Sequence, residues 1–581
     1  MSLPPSDCNH CEPEPTDGVS TASSVWLLAL LLAVATFGAH FPAVLAGYTW
    51  DDDRYLYQSP LTTAPDGLYR VWFTTEATDY YPLTRTTFWL EWRIWGNHPM
   101  PYHVVNILLH SVAGVLLWRV LRRLNVSEPA AYLAGLIFAI HPVTVESVAW
   151  ISERKNVLSI GLYLLAILAY LRFEDDGDRR WHRYALVAAA AALLAKTSVA
   201  MLPVVLLLCA WWRRGRLTRR DILNTLPFFA LSLALGLLGM WFEHHKSISG
   251  VIVRPEGLAS RIAASGWIVW FYLYKIFLPI NLAMVYPRWD VDGGRVISFV
   301  PLGLLIACFA VLWYYRKSWA RGPLAAAAYF VLAMGPLLGF VDVAFMKHSL
   351  VADHFQYAAM PAVIALVSGL LAYPLTRTGA RRSSVTWAAG AAVICAVVLT
   401  LGTLTWRQAQ LYRDEESLWT HTIALNNRAW VAYNNRGIAY AKRGLGDRAL
   451  QDYDKAIALE PDRAQSWNNR GNACREMGDF SQAIHDYTKA IELEPDSAGA
   501  YYNRANAYNT RGDYREAISD HTKAIELRPD FMDAYNNRAI AHFYLKEYEK
   551  AWADVRVVKR LGGQPTPDLI SALTEATGRT E

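Results

Sequence analysis

Residues 25–53 read VWLLALLLAVATFGAHFPAVLAGYTWDDD. An apolar run long enough to cross the ~30 Å hydrocarbon core as a helix runs straight into three carboxylates, Asp51, Asp52 and Asp53. The run has no basic flank before it and no small-residue cleavage site after it, so it is expected to remain as an anchor. With 25–46 counted first, candidate spans follow at 102–121, 130–149, 156–173, 183–196, 198–212, 224–242, 297–314, 323–340, 356–374 and 385–404, eleven in all. Beyond Thr405 the chain turns polar and charged. Its averages over 581 residues, 53% apolar and 18% charged, therefore mix two solvents and exclude both a single soluble domain and an all-membrane protein.

Short cytoplasmic loops carry an excess of Lys and Arg, and basic residues here gather in alternate loops. The clusters are Arg119, Arg122 and Arg123; Arg172, Arg179, Arg180 and Arg183; Arg213, Arg214, Arg216, Arg219 and Arg220; Arg316, Lys317 and Arg321; and Arg377, Arg381 and Arg382. All five share one side only if the apolar stretch near 262–280 does not cross. That stretch is expected to be re-entrant or to lie along the opposite interface, which suits Trp267, Trp270, Tyr272, Tyr274 and Lys275. Eleven spans then place the N-terminus in the cytoplasm and the C-terminal half outside, the expected setting being a bacterial inner membrane with the repeats in the periplasm. The net charge of +5 comes from these short clusters, so membrane lipids rather than nucleic acid are the expected surroundings.

The polar half repeats. Asn435-Arg436, Asn469-Arg470, Asn503-Arg504 and Asn537-Arg538 are 34 residues apart, as are Pro461, Pro495 and Pro529, the tetratricopeptide period. Tyr433, Trp467, Tyr501 and Tyr535 open a first helix, Gly437, Gly471, Ala505 and Ala539 allow close packing, and Ala449, Ala483, Ala517 and Ala551 mark where the second helix meets it. A half unit around Trp419 precedes the array and a capping helix near Pro567–Thr577 closes it. The Asn-Arg pairs fall on the helix that lines the groove of such arrays, where Asn can bond a peptide backbone and Arg a carboxylate; alternatively they stabilise neighbouring repeats.

Several polar groups gather on the face opposite the basic loops. Three adjacent carboxylates raise one another's proton affinity, which makes Asp51 or Asp52 a candidate general base and a solvated helix end the bland alternative. Arg85 follows in the same loop, with Trp89, Trp92 and Trp95 suited to an interfacial helix, then His98, His103, Asn106 and His110 running into the second span. After the third span come His141, Pro142, Glu146 and Trp150, then Glu153, Arg154, Lys155 and Asn156. If the helix persists past Pro142, Glu146 and Trp150 share a face. Arg154 and Lys155 could hold a lipid phosphate, or form a turn neutralised by Glu146 or Glu153. Cys209, Cys308 and Cys395 read as packing residues, Cys474 has no partner near in sequence, and Cys8 with Cys11 is too small a set for a structural zinc, so no metal site is assigned.

The segments Trp50-Asp51-Asp52, Pro82-Leu83-Thr84, Gly96-Asn97-His98-Pro99 through His103 and Asn106 to His110, His141-Pro142-Val143 to Glu146, and Arg154-Lys155-Asn156 resemble the membrane-embedded C-type glycosyltransferases. More closely, the chain resembles the transmembrane and tetratricopeptide-repeat O-mannosyltransferases and their bacterial relatives over nearly its whole length. The resemblance implies an integral membrane hexosyltransferase that moves a sugar, mannose in that family, from a polyprenyl-phosphate carrier to a Ser or Thr hydroxyl of a protein outside the cytoplasm. It implies Asp51 or Asp52 as the base, Arg154, Lys155 and His354 as contacts to the donor phosphate, and Arg85, His98, His103, His141, Glu146, Asp353 and Tyr357 as site-lining candidates. The donor is a substrate; no cofactor is assigned. One departure stands out: Ala352-Asp353-His354-Phe355-Gln356-Tyr357 carries His354 where the family often has an arginine. The string Leu278-Pro279-Ile280-Asn281-Leu282 with Tyr286 also matches.

The expected fold is all-α: a cytoplasmic tail over 1–24, expected to be disordered, a polytopic C-type-like membrane domain over 25–405 with an external loop at 47–101, a half-repeat over 406–429, four repeat units over 430–563, and a capping helix and tail over 564–581. A polypeptide acceptor bound by the repeats is the expected partner. The competing reading is a catalytically inactive membrane scaffold whose repeats are the working part.

Overall fold

The computed structural model describes residues 22–248, 252–376 and 384–579; the Cys8 and Cys11 tail and the cluster of Arg377, Arg381 and Arg382 lie outside them. The described residues are 78% helical and contain no strand. The membrane part is built from α1 (Ala22–Val44), α2 (Pro82–Trp95), α3 (Pro99–Arg123), α4 (Glu128–Ala139), the short α5 (Val145–Ala149), α6 (Arg154–Asp176), α7 (Arg179–Ala195), α8 (Leu202–Arg214), α9 (Arg219–Phe242), α10 (Leu258–Phe277), α11 (Val300–Tyr314), α12 (Arg321–Met334), α13 (Met360–Thr376) and α14 (Ser384–Leu411). Among the described residues seven helical stretches are long and apolar enough to cross a membrane, and the pair α4 and α5 with its intervening turn makes an eighth. The other three expected spans are α7, α12 and α13, of 17, 14 and 17 residues, shorter than the ~20 of a full crossing.

Small residues allow close helix crossings in the bundle. A Cβ on Gly135 of α4 would lie 2.7 Å from the carbonyl oxygen of Gly114 on α3, so the two backbones cross in direct contact. By contrast α11 and α14 keep broad apolar faces exposed, as lipid-facing helices do. Cys308 and Cys395 lie on those exposed faces, while Cys209 and Cys474 are buried, which corrects the reading of the first two as packing residues.

The bundle has two chemically different ends. At one, Arg123 and Arg213 share Asp175, Arg214 pairs with Asp221 at 2.6 Å and Glu174 at 3.1 Å, and Arg321 donates to the Trp211 carbonyl at 3.0 Å. Those basic loops therefore meet one another. At the other end lie the 48–81 loop, the 150–156 turn, Lys196, Glu243 and 341–355.

Helix α10 belongs wholly to that second end. Its first turn ties Arg261 to Asp342 at 2.8 Å, its middle Tyr272 hydroxyl accepts from Ala352 N–H at 3.1 Å, and its last turn offers the Ile276 carbonyl to His141 at 3.0 Å. The chain then runs back, Gly293 N–H reaching Ser260 at 2.9 Å. An unbroken 20-residue helix touching one end of the bundle along its length lies across that end and does not carry the chain through.

Helix α14 continues without a break to Leu411, and α15 (Glu415–Leu425) stacks directly on it, its Trp419 buried with Trp150, Tyr412 and Met284. Four helix pairs follow: α16 (Trp430–Lys442) and α17 (Gly446–Leu459), α18 (Ala464–Glu476) and α19 (Phe480–Leu493), α20 (Ala498–Arg511) and α21 (Tyr514–Leu527), α22 (Met532–Tyr544) and α23 (Tyr548–Arg560). The Tyr453 and Tyr487 rings fill the space left by Gly437 and Gly471. Leu569 and Leu573 of α24 (Pro567–Thr577) cover Trp552 and Val555 and close the array.

Candidate active site

Beyond α1 the backbone turns sharply at Trp50, whose φ of 53° is a conformation bulky residues rarely take. The indole is held by a parallel stack on Trp150, ring centres 5.4 Å apart, and by edge contacts with His348 and Trp419. This turn separates the two carboxylates that follow. Asp52 points inward and is fully buried: one oxygen accepts Thr49 N–H at 2.9 Å, the other Ser152 N–H at 2.7 Å. Asp51 lies on the wall of a cavity of about 1000 Å³. Its Oδ1 accepts the Ser152 hydroxyl at 2.8 Å and the Trp150 indole N–H at 3.1 Å.

Burial raises the proton affinity of Asp51 above the usual carboxylate range, while Lys155 and the Ser152 hydroxyl work against the rise. Burial, then the charge of Asp51, push Asp52 well above that range, while its two backbone N–H donors favour the ionised form. Asp53 turns outward to Arg54 N–H and the Gln58 amide.

Two cations face Asp51 across the cavity. Lys155 pairs with Glu153 at 2.8 Å and lies 5.5 Å from the Tyr55 ring centre. Lys196, at the end of α7, donates to the Asn156 side chain at 2.7 Å and lies 3.4 Å from Glu153. Glu153 is shared by these two ammonium groups, and around the whole cavity Arg54, Lys155, Lys196 and Lys347 stand against Asp51, Asp79, Glu153, Glu243 and Asp342. His354 also lines the cavity; Glu146 accepts both from its ring Nδ1 and from its backbone N–H at 3.0 Å, which fixes the ring and leaves Nε2 as the nitrogen available to a ligand. Asp79 on the same wall is bound by Arg85 at 2.8 Å and by the Tyr55 hydroxyl. One stretch of the wall is apolar: Phe229, Leu233, Leu237 and Met240 of α9 with Met201 and Val204.

Several expected site residues have other work. Arg154 is not at the cavity: fully buried, it forks onto Glu91 at 2.5 and 3.2 Å, donates to Asn106 and the Tyr102 carbonyl, and lies over Phe88. The guanidinium is spent on joining α2, α3 and α6 and has no donor left for a phosphate. The helix does not persist past Pro142; it breaks there, bending by 48°, and the short α5 turns Glu146 toward His354. His98 is exposed at the start of α3, His103 bonds the Gly47 carbonyl, His141 caps the turn after α4, and Asp353 accepts from the Tyr286 hydroxyl at 2.9 Å. Tyr357 bonds His110 at 2.6 Å inside the bundle. None of these residues lines the cavity, nor do Arg85 and Glu146, which hold the Asp79 and His354 that do.

The repeats need the larger correction. Arg436, Arg470, Arg504 and Arg538 each fork onto an aspartate 16 residues later on the partner helix, Asp452, Asp486, Asp520 and Asp554, at 2.7 to 2.9 Å. Their remaining nitrogens reach the preceding helix pair, as Arg504 does to Thr488. Arginines so paired staple helices and are not free to hold an acceptor carboxylate. Asn469 and Asn503 bond Asn434 and Asn468 of the preceding unit, and Asn537 bonds Asn506. Asn435 differs: its amide nitrogen has no partner.

Sequence reasoning missed Lys196, Glu243, Lys347 and His348, all on the cavity wall.

The family model described as Dolichyl-phosphate-mannose-protein mannosyltransferase matches residues 81–241, the stretch holding Glu153, Lys155 and Lys196, and the tetratricopeptide repeat model matches 430–463, 464–497 and 498–531. The chain is similar to the protein O-mannosyl-transferase F38B6.6 of Caenorhabditis elegans, 22% identical over 78% of this chain and 66% of that one. It is also similar to human TMTC3, 22% identical over 75% and 51%, and to Drosophila melanogaster Tmtc2, 34% identical over 32% and 20%. The matches thus span 20% to 66% of the length of these three relatives. Among solved structures, MamA aligns at 21% identity over 25% of this chain and 86% of that chain, with a TM-score of 0.25.

Proposed function

We propose that this chain is a membrane-embedded glycosyltransferase that moves a sugar, mannose by the names of its relatives, from a polyprenyl-phosphate carrier to a Ser or Thr hydroxyl of a polypeptide, at the extracytoplasmic face of a bacterial inner membrane. The observation that carries the reading is the cavity itself, which sets the Asp51 carboxylate, the Lys155 and Lys196 ammonium groups and the apolar side of α9 around a single space. In one displacement, the Asp51 carboxylate takes the proton of the acceptor hydroxyl as its oxygen bonds to the anomeric carbon. The bond from that carbon to the phosphate oxygen breaks, and the charge gathering on the departing lipid phosphate is met by Lys155, Lys196 and the His354 ring. The α9 wall receives the first isoprene units from the lipid side. The repeats stand at the same end of the bundle, so an acceptor they hold arrives beside Asp51.

The test is transfer of radiolabelled mannose from mannosyl-phosphoryl-polyprenol to Ser/Thr peptides by the full chain in nanodiscs. Lys196→Met is expected to raise KM for the donor at least about tenfold, because one of two phosphate cations is gone. Absence of any transfer by the unaltered chain with lipid-linked mannose, glucose or galactose refutes the reading.

A further inference from the structure

A second cleft, of about 300 Å³, opens between the membrane domain and the first repeat. It shares Trp50, Arg54, Lys347 and His348 with the Asp51 cavity, so the two spaces meet across one wall. Its far wall is Trp430 and Asn435 of α16 with Arg463 and Gln465 at the start of α18.

Unspent polar groups concentrate here. The Asn435 amide nitrogen, the Arg463 Nε and the His348 Nδ1 are all buried and lack a hydrogen-bond partner, the Arg463 guanidinium being ion-paired to Glu460 at 3.3 Å and, more loosely, to Asp462 at 3.8 Å. Asn435 is only 7% exposed, and its counterparts in the later repeats are partnered. Three such groups at the floor of one cleft are costly unless something bonds them. The cleft is also charge-balanced. Arg54, Lys347, Lys442 and Arg463 face Asp53, Glu415, Asp462 and Glu494, four cations against four carboxylates. Such a lining suits a neutral chain with alternating donors and acceptors. The aromatic pair Trp50 and Trp430 adds flat contact surface.

We propose that this cleft is the subsite for an extended acceptor polypeptide, whose backbone bonds Asn435, Arg463 and His348 while the reacting hydroxyl passes Trp50 toward Asp51. This rests on the transferase reading and adds where the acceptor lies: in the seam at the membrane, not along the arginines of the array. Trp50 is then a positioning residue that separates the lipid-linked sugar from the peptide.

The test uses the full chain in nanodiscs and a fluorescein-labelled unstructured peptide of about 15 residues rich in Ser and Thr, ~50 Å if extended. Fluorescence anisotropy is expected to show saturable binding below about 1 mM, weakened at least about tenfold by Asn435→Ala and by Gln465→Trp, and unchanged by Asp51→Asn. Gln465 is exposed at the rim, so its tryptophan blocks the cleft without entering a core, and it keeps the test valid should Asn435→Ala unfold the first repeat. No saturable binding to the unaltered chain, equal binding by both variants, or competition by mannosyl-phosphoryl-polyprenol overturns the proposal. Transfer in the same discs separates it from the parent reading. Peptide binding that depends on the cleft without sugar transfer leaves the cleft and removes the transferase, whereas transfer with a peptide KM unmoved by either variant removes the cleft alone.

Discussion

Asp51→Asn and Asp52→Asn should fail in different ways, though the residues are adjacent and chemically identical. Asp51→Asn keeps the shape and an oxygen able to accept from Ser152 and Trp150, but removes the base that faces the cavity. General-base help is worth about 10²–10⁴-fold, or about 2.7–5.4 kcal/mol of barrier, and the single-turnover rate should fall by that factor with the fold intact. Asp52→Asn leaves the cavity wall alone. Both oxygens of Asp52 accept backbone N–H groups inside the protein, and an amide has one accepting oxygen, so one N–H meets an NH₂ instead. A buried donor left unsatisfied costs about 1–3 kcal/mol, which should appear as a lower unfolding temperature. The folded fraction should turn over within about tenfold of the unaltered rate. Single-turnover transfer from radiolabelled lipid-linked mannose, with unfolding followed by tryptophan fluorescence in the same detergent, reads both quantities. A stable Asp52→Asn protein without activity, beside an active Asp51→Asn protein, would refute the assignment.

Other predictions concern charge and packing. Since Asp51 must be ionised to act and its proton affinity is raised, activity should fall as pH drops through a value above the usual ~3.9. Lys155 lowers that value, so Lys155→Met should move the acid limb of kcat/KM to higher pH; a limb that stays or moves down removes Asp51 as the titrating base. Arg504→Ala breaks a paired guanidinium whose side chain is 16% exposed and should cost the array about 2 kcal/mol, read by circular dichroism on heating, with donor binding at the membrane end unchanged. Gly135→Ala sets a Cβ against the Gly114 carbonyl and should destabilise the bundle by about 1–3 kcal/mol, whereas Gly161→Ala, with nothing within 4 Å of its new Cβ, should be tolerated. Equal unfolding temperatures for the two glycine variants would show that the α3 and α4 crossing relaxes easily.

Much of the architecture was legible before any coordinates. Of the eleven apolar runs expected to span, eight fall on helical stretches long enough to cross a membrane, the 34-residue period located every helix pair of the array, and the stretch 262–280 is the helix α10, whose first, middle and last turns bond residues at one end of the bundle. Of the site, the sequence indicated Asp51, Lys155 and His354 and missed Lys196. Arg154 and the repeat arginines misled because a guanidinium looks the same in sequence whether it awaits a ligand or already holds a carboxylate.

What the sequence determined by itself is what repeats or persists along the chain: the places of the apolar helices and the 34-residue period. These follow from neighbours a few residues apart, since hydrophobic burial and helix geometry act locally. Which polar groups remain free was decided only by tertiary structure. Arg154 finds Glu91 across 63 residues, Asp51 finds Ser152 across 101, and His354 finds Glu146 across 208. A buried charge must be paired by whatever the fold brings within reach, and the residues left unpaired around Asp51 and Asn435 are defined by those long-range choices.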